Sequence, residues 1–247
     1  MKFASMFAGL ALLSATGLAL AACDRSDPPV KKLERAAEDT ITEIEGETLP
    51  KRAKGPLAPR DECTDQPGGG EFLSQLRRAA STRDAEALAA LSAEDVQLTF
   101  GGDSGRETLV RFMGENDGAL WEELDTVLTM GCASDGATMT MPWYFAQDGG
   151  YDDAFTAMVV TGEDVALLER PIENAPQLGA VSWDYVELVQ DAPEIEGYRR
   201  VTWTDPATDR PLEGYITQGS LRSVVDYRLM AARRNDRWRL VTFIAGD

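Results

Sequence analysis

Val225-Asp226-Tyr227-Arg228-Leu229-Met230-Ala231-Ala232-Arg233-Arg234-Asn235-Asp236-Arg237-Trp238-Arg239-Leu240-Val241-Thr242-Phe243-Ile244 decides how the rest of the chain is read. Val225, Tyr227 and Leu229 recur every second residue, as do Trp238, Leu240 and Thr242, which is the period of a strand with one buried face. Asn235-Asp236 between them suits the positive φ of a tight hairpin turn. Two strands alone are marginal in water, so the faces carrying Tyr227, Leu229, Trp238, Leu240 and Phe243 must dock on something. The surfaces that need them lie far upstream. After Gly68-Gly69-Gly70, the residues Phe72, Leu73, Leu76, Ala79 and Ala80 mark one helical face, and Leu120, Trp121, Leu124, Val127 and Leu128 mark another that Gly131 ends. The hairpin is therefore assigned to the domain begun at Cys63.

Between these ends the chain changes character. Asp84 can cap a short helix through Ala85, Leu88 and Leu91. Val96, Leu98 and Phe100 alternate as a strand closed by Gly101-Gly102, and a helix follows from Ser104 to Met113. Met139 to Met141 and Trp143 to Phe145 read as short strands split by Pro142. From Phe155 onward short strand-like stretches cover 157–160, 165–168, 177–181, 185–189, 198–203 and 214–217. Pro171, Asn174, Pro176, Asp191, Pro193, Asp205, Pro206 and Asp209 fall in the turns between them. So many short strands in about sixty residues suggest a small barrel.

The order of motifs in 156–222 resembles a bacterial SH3-like domain. A strand leading into a Pro-containing loop is matched by Val165-Ala166-Leu167-Leu168-Glu169-Arg170-Pro171. The next strand is matched by Leu178-Gly179-Ala180-Val181-Ser182-Trp183-Asp184-Tyr185-Val186, and the aromatic strand and Gly-Tyr exit by Tyr198-Arg199-Arg200-Val201 and Glu213-Gly214-Tyr215-Ile216. Only the Arg and Pro of the family's Arg-Ser-Gly-Pro remain, at Arg170-Pro171. The remainder, with helices first and the strand Asp236 to Asp247 last, resembles NTF2-like domains. The expected architecture is α+β: an NTF2-like helix-plus-curved-sheet domain (62–153 plus 223–247) with an SH3-like β-barrel (154–222) inserted or appended. The SH3-like resemblance implies a partner groove, for which Trp183, Tyr185, Tyr198, Trp203 and Tyr215 are the candidates. Such a groove would take an envelope protein or a cell-wall glycan by stacking. Several of the five would instead fill the small core.

The amino terminus supplies an address. Met1-Lys2 is a short positive start, the run from Phe3 to Ala19 carries no charge, and Leu20-Ala21-Ala22-Cys23 follows. That quartet resembles the lipobox of bacterial lipoproteins. The resemblance implies a signal peptide at 1–22, cleavage before Cys23, and diacylglycerol on its sulfur with an acyl chain such as palmitate on its amine. Membrane lipid would then be a partner through Cys23, with the chain facing the periplasm. Asp24 resembles an inner-membrane retention signal. Residues 23–61 read as the lipidated Cys and a Pro-broken tether.

Composition narrows the remaining classes. The chain has 24 basic and 42 acidic residues, a formal net charge of −18, so nucleic acid would repel it. Anionic headgroups or cell wall would do the same except at a local basic patch. There is no His, which removes Ser-His-Asp and Cys-His sets and His-ligated zinc. No catalytic residue, metal ligand or cofactor site is expected. The acidic residues Glu122, Glu123, Asp125, Asp148, Asp152 and Asp153 lack the spacing of a calcium loop and read as solvated surface. Gly101-Gly102-Asp103-Ser104-Gly105 reads as a turn, not an anion cradle. With Cys23 lipidated, Cys63 and Cys132 are left in an oxidising compartment and are expected to pair as a disulfide, the alternative being two separate buried thiols. The functional expectation is a non-catalytic binding or scaffolding lipoprotein. The alternative is an NTF2-like small-molecule-binding protein or enzyme, which requires polar groups converging in a closed pocket.

Overall fold

The helical faces of the first part need a sheet to cover, and the hairpin completes one. The computed structural model describes residues 53–246, all within one compact unit, Arg52–Asp247. Helix α1 (Gly69–Thr82) buries Phe72, Leu73, Leu76, Ala79 and Ala80 on one face and ends at Arg83, whose φ is 55°. Asp84 caps α2 (Ala85–Leu91) by accepting from the Ala87 N–H at 2.9 Å. Strand β1 (Ser92–Gln97), helix α3 (Arg106–Met113), helix α4 (Ala119–Thr129) and strands β2 (Ala133–Ser134) and β3 (Thr138–Met141) follow. Much later come β11 (Arg228–Arg234) and β12 (Arg237–Ile244), joined by Asn235 and Asp236 at φ 51° and 61°. The first sheet has the order β1-β12-β11-β3-β2, with β1 parallel to β12 and the other neighbours antiparallel. The last strands of the chain therefore lie in the interior of that sheet. Leu73, Leu76, Leu88, Leu109, Leu124, Met139, Leu229 and Leu240 fill the space between it and the helices, each fully buried.

Two stretches near this sheet depart from the alternation seen in the sequence. The strand ends at Gln97, so Val96 and Leu98 enter the core while Phe100 stands 56% exposed in the following turn. Trp143–Ala146 is a 3-10 turn, not a strand; Trp143 and Tyr144 are both buried, which no strand with one solvent face permits.

Residues 157–223 build the second sheet. Its strands are β4 (Ala157–Val160), β5 (Val165–Leu168), β6 (Gln177–Val181), β7 (Tyr185–Leu188), β8 (Tyr198–Asp205), β9 (Arg210–Thr217) and β10 (Leu221–Ser223). They run β10-β4-β7-β8-β9-β5-β6, and every pairing is antiparallel. The expected closed SH3-like barrel is not formed. β10 and β6 are the two edges and do not pair with each other, and β5 meets β9 at the single pair Leu168–Tyr215.

The sheet is nonetheless strongly curled, and chain length requires it. β6 and β7 lie four strand positions apart, about 19 Å in a flat sheet. Only residues 182–184 connect them, a reach of about 14 Å from Val181 to Tyr185. The curl brings Val160, Leu167, Val181, Val186, Val201, Trp203 and Ile216 into one buried cluster. Its other face, at β4, meets the first layer through a second cluster of Leu57, Met130, Ala133, Trp143, Tyr144, Ala157, Val159 and Val224.

Gly214 lets β9 pass close under β5: a Cβ there would stand 2.7 Å from the Leu168 carbonyl oxygen and 3.0 Å from the Leu167 side chain. Gly214→Ala should therefore destabilise the protein by about 1–3 kcal/mol through overpacking. A thermal midpoint equal to that of the unsubstituted protein would show that the approach is looser than described.

Candidate functional site

The tight connection after β6 places Trp183, the first of the aromatic candidates. Its φ is 40°, a conformation that costs a bulky residue on the order of 1–3 kcal/mol. Segments from elsewhere hold it there: the Trp183 N–H donates to the Gly162 carbonyl at 2.9 Å, and its carbonyl accepts from the Leu57 N–H at 2.8 Å. The half-buried rings of Trp183 and Tyr185 pack into the cluster between the sheets, where Tyr185 stands edge-on to Tyr151 with centroids 5.3 Å apart.

The other candidates go elsewhere. Trp203 is buried in the curled sheet's core, and its indole N–H donates to the Asp184 carboxylate at 3.0 Å. Tyr198 and Tyr215 are half-buried on the outer face of β8 and β9, where Arg200 lies opposite Tyr215 and Tyr198 opposite Thr217. Arg200 forms an ion pair with Glu213 on the same face. The structure thus brings Tyr198 and Tyr215 together and separates them from Trp183, Tyr185 and Trp203. No single groove gathers the set, because strand alternation sends Trp203 inward while Tyr198 points out.

The acidic residues also separate. Glu123 accepts from Arg222 at 3.1 Å and Asp125 from Arg83 at 2.7 Å. Asp148, Asp152 and Asp153 are exposed, and Asp153 accepts from the Phe155 N–H within its own turn. Among the described residues no group of three or more Cys, Asp or Glu is placed to hold a metal ion. Gly105 donates its N–H to the Val96 carbonyl, closing the 99–105 segment as a turn. Cys63 and Cys132 are joined as a disulfide, with Cα atoms 5.8 Å apart, across 69 positions of sequence. Both are buried, and the bond ties the lead into α1 to the start of β2. Cys23 lies outside the described residues, as do the signal peptide and most of the tether.

One polar cluster had no signal in the sequence. Arg222 on β10 is only 8% exposed and joins the two layers. Its guanidinium reaches Glu123 of α4 at 3.1 Å, Asp226 at 3.3 Å and the Tyr227 carbonyl at 3.2 Å, while its Nε has no partner. Burial pushes the nearby Tyr144 hydroxyl up to about 12, with Arg222 opposing, and Tyr227 is also raised by burial, then by Glu123 and Asp226. Tyr185 is likewise pushed up to about 12, by burial first and then by Tyr151, Asp148 and Asp184. Several titratable groups thus meet at one seam, and the pair between Arg222 and Glu123 clamps α4 to the second sheet.

Open grooves lie instead along the hairpin. One of about 480 Å³ runs between α1 and β12, beside Glu71, Phe72, Arg237 and Trp238. A neighbouring one of about 560 Å³ is lined by Glu94, Asp95, Arg106, Arg234, Arg237 and Arg239. The first balances Glu71 and Asp236 against Arg237 and Arg239, whereas the second sets four Arg against Glu94 and Asp95. Among the described residues no helix is long and apolar enough to cross a membrane.

No protein-family model matches the chain, and no curated protein does. Among solved structures it is similar to an NTF2-like protein with a cystatin-like fold from Novosphingobium aromaticivorans, at 13% identity over 86% of each chain and a TM-score of 0.25. A protein of unknown function with a cystatin-like fold from Nostoc punctiforme matches at 12% identity over 71% of this chain and 85% of that one, with a TM-score of 0.25. A putative calcium/calmodulin-dependent protein kinase II association domain from Xanthomonas campestris matches at 12% identity over 78% and 98%, with a TM-score of 0.24. At such TM-scores none of these likenesses establishes the fold; the helices and curved sheets described above stand on their own geometry.

Tyr144 and Tyr185 should ionise near pH 12, not near their ordinary 10.0. The unfolded chain ionises first, so stability is intact below about pH 10 and falls as pH rises towards 12. Ultraviolet titration of the folded protein reads this directly, and Tyr144→Phe should flatten the alkaline decline. Two of the tyrosines titrating normally would mean that the seam between the sheets is open to water.

Proposed function

We propose that the chain is a lipid-anchored protein of the bacterial cell envelope, a binding or scaffolding module and not an enzyme. The observation that carries the proposal is Leu20-Ala21-Ala22-Cys23 at the end of the uncharged run from Phe3 to Ala19. Acyl chains on Cys23 contribute about 0.8 kcal/mol per buried methylene, and two or three of them hold a protein firmly to a bilayer. The body then faces the periplasm, and Asp24 favours the inner membrane. Its partners are membrane lipid and an envelope protein or cell-wall glycan.

The non-catalytic half of the reading is supported by how the first layer is filled. Between the four helices and the first sheet, where an NTF2-like cone would hold a ligand, lie the fully buried side chains of Leu76, Leu88, Leu109, Leu124 and Leu240. We assign the four helices and the first sheet to an NTF2-like arrangement on element order, helices first and the closing strands last.

Cys23→Ser should abolish membrane retention and leave the precursor uncleaved at the lipoprotein site. Fractionation after a salt wash checks it, and a substituted protein that still sediments with membranes overturns lipid anchoring.

A further inference from the structure

The net charge of −18 describes what the whole surface repels, not what one groove takes. At physiological ionic strength charges more than about 8 Å apart are largely screened, so a site answers to the charges that line it. The β11–β12 hairpin departs from the rest of the chain. Arg228, Arg233, Arg234, Arg237 and Arg239 fall between 228 and 239, a stretch whose one acid is Asp236. Arg234, Arg237 and Arg239 line the groove of about 560 Å³ together with Arg106 from the start of α3. Only Glu94 and Asp95 oppose them there, so four cations face two anions and the groove carries a local excess of two positive charges.

Among the described residues none of these four arginines forms an ion pair. Arg106 and Arg239 are half-buried and are held by backbone instead. The Arg106 Nε and Nη2 donate to the Ser92 carbonyl at 3.0 and 2.6 Å, and the Arg239 guanidinium donates to the Ala90 carbonyl in the last turn of α2. A carbonyl orients a guanidinium without neutralising it. Arg234 and Arg237 are exposed and stand directly opposite each other across the hairpin. Like charges so placed destabilise a strand pair, and an anion held between them removes that penalty.

We propose that this groove binds the phosphoryl group of a small phosphate monoester. Such a group carries about −1.5 to −2 charges at pH 7, which matches the local excess of two, and its three acceptor oxygens suit the forked donors of arginine. A single carboxylate would leave about half of that excess unneutralised. The groove is larger than a bare phosphate needs and falls in the range of small-ligand sites, roughly 300–1,000 Å³, so the group arrives on a larger molecule. A soluble phosphate monoester and a phosphomonoester lipid headgroup present the same chemistry. The site goes beyond the lipid-anchor reading and does not depend on it.

The test is calorimetric titration of the chain from residue 23, carrying Cys23→Ser, with glycerol 3-phosphate in phosphate-free buffer. Flotation of the same chain with phosphatidylcholine vesicles, with and without phosphatidic acid, runs beside it. Saturable binding is expected, weakening as pH falls through about 6, where a phosphate monoester loses its second charge. Protonating Glu94, Asp95 or Asp236 would raise the groove's positive charge and act in the opposite direction, and the chain has no His. Arg234→Gln with Arg237→Gln should weaken binding about tenfold or more, the loss of a charged hydrogen bond. Glu94→Gln with Asp95→Asn should tighten it, and Arg210→Gln, on β9, should leave it unchanged. Should the double arginine variant lose its thermal transition, Asn235→Asp takes its place; it suits the positive φ of the turn and adds a carboxylate to the groove. Flotation that requires phosphatidic acid and is lost in the same variants supports the site and assigns the headgroup as its source. Binding of neither probe overturns the proposal. So does acetate binding as tightly as glycerol 3-phosphate, or binding that the groove variants leave intact.

Discussion

Residues 182–184 impose the constraint on which the second half of the molecule depends. They carry the chain from the β6 edge to β7, across a sheet that must bend until the two ends come within reach. The bend is held in place by Trp183, whose left-handed backbone is fixed by Gly162 from one turn and Leu57 from the lead-in segment. Its ring then joins the apolar seam that binds the curled sheet to the first layer. Backbone strain in one residue is thus offset by hydrogen bonds and packing from segments that are distant in sequence.

Local signals were legible wherever a single face is buried. The period of α1, the Asp84 cap, the turn at Asn235-Asp236 and strands β4 to β7 can all be read from residue spacing, within a residue or so at their ends. Phe100 and the run from Trp143 to Phe145 misled for a common reason: alternation and aromatic content do not say where a partner strand stops. The barrel was illegible for a different reason. Closure depends on whether the first and last strands of a sheet find each other, and β10, which takes one of those places, carries no strand pattern in Leu221-Arg222-Ser223.

The site was less legible than the fold. An aromatic residue looks the same in sequence whether it fills a core, seals a seam or faces a partner. Trp203, Trp183 and Tyr215 take those roles in turn, and only strand register separates them. Arg222 was missed outright. A buried arginine is recognisable only from the carboxylates that surround it, and Glu123 lies 99 positions away. Without Glu123 and Asp226 the guanidinium would sit uncompensated in a dry seam, which is why such clusters are costly to break.

The interior position of β12 in the first sheet has a consequence for how the chain acquires its structure. A polypeptide made from its amino terminus completes α1 to α4 and β1 to β3 long before the residues that must sit between β1 and β3 exist. Until residue 244 emerges, the apolar faces of those helices have no sheet to cover and the first layer cannot close. Contacts of such sequence separation make folding slow and delay its commitment until β12 has been made. Under the export proposed above, the same delay would keep the chain extensible for as long as it is in transit.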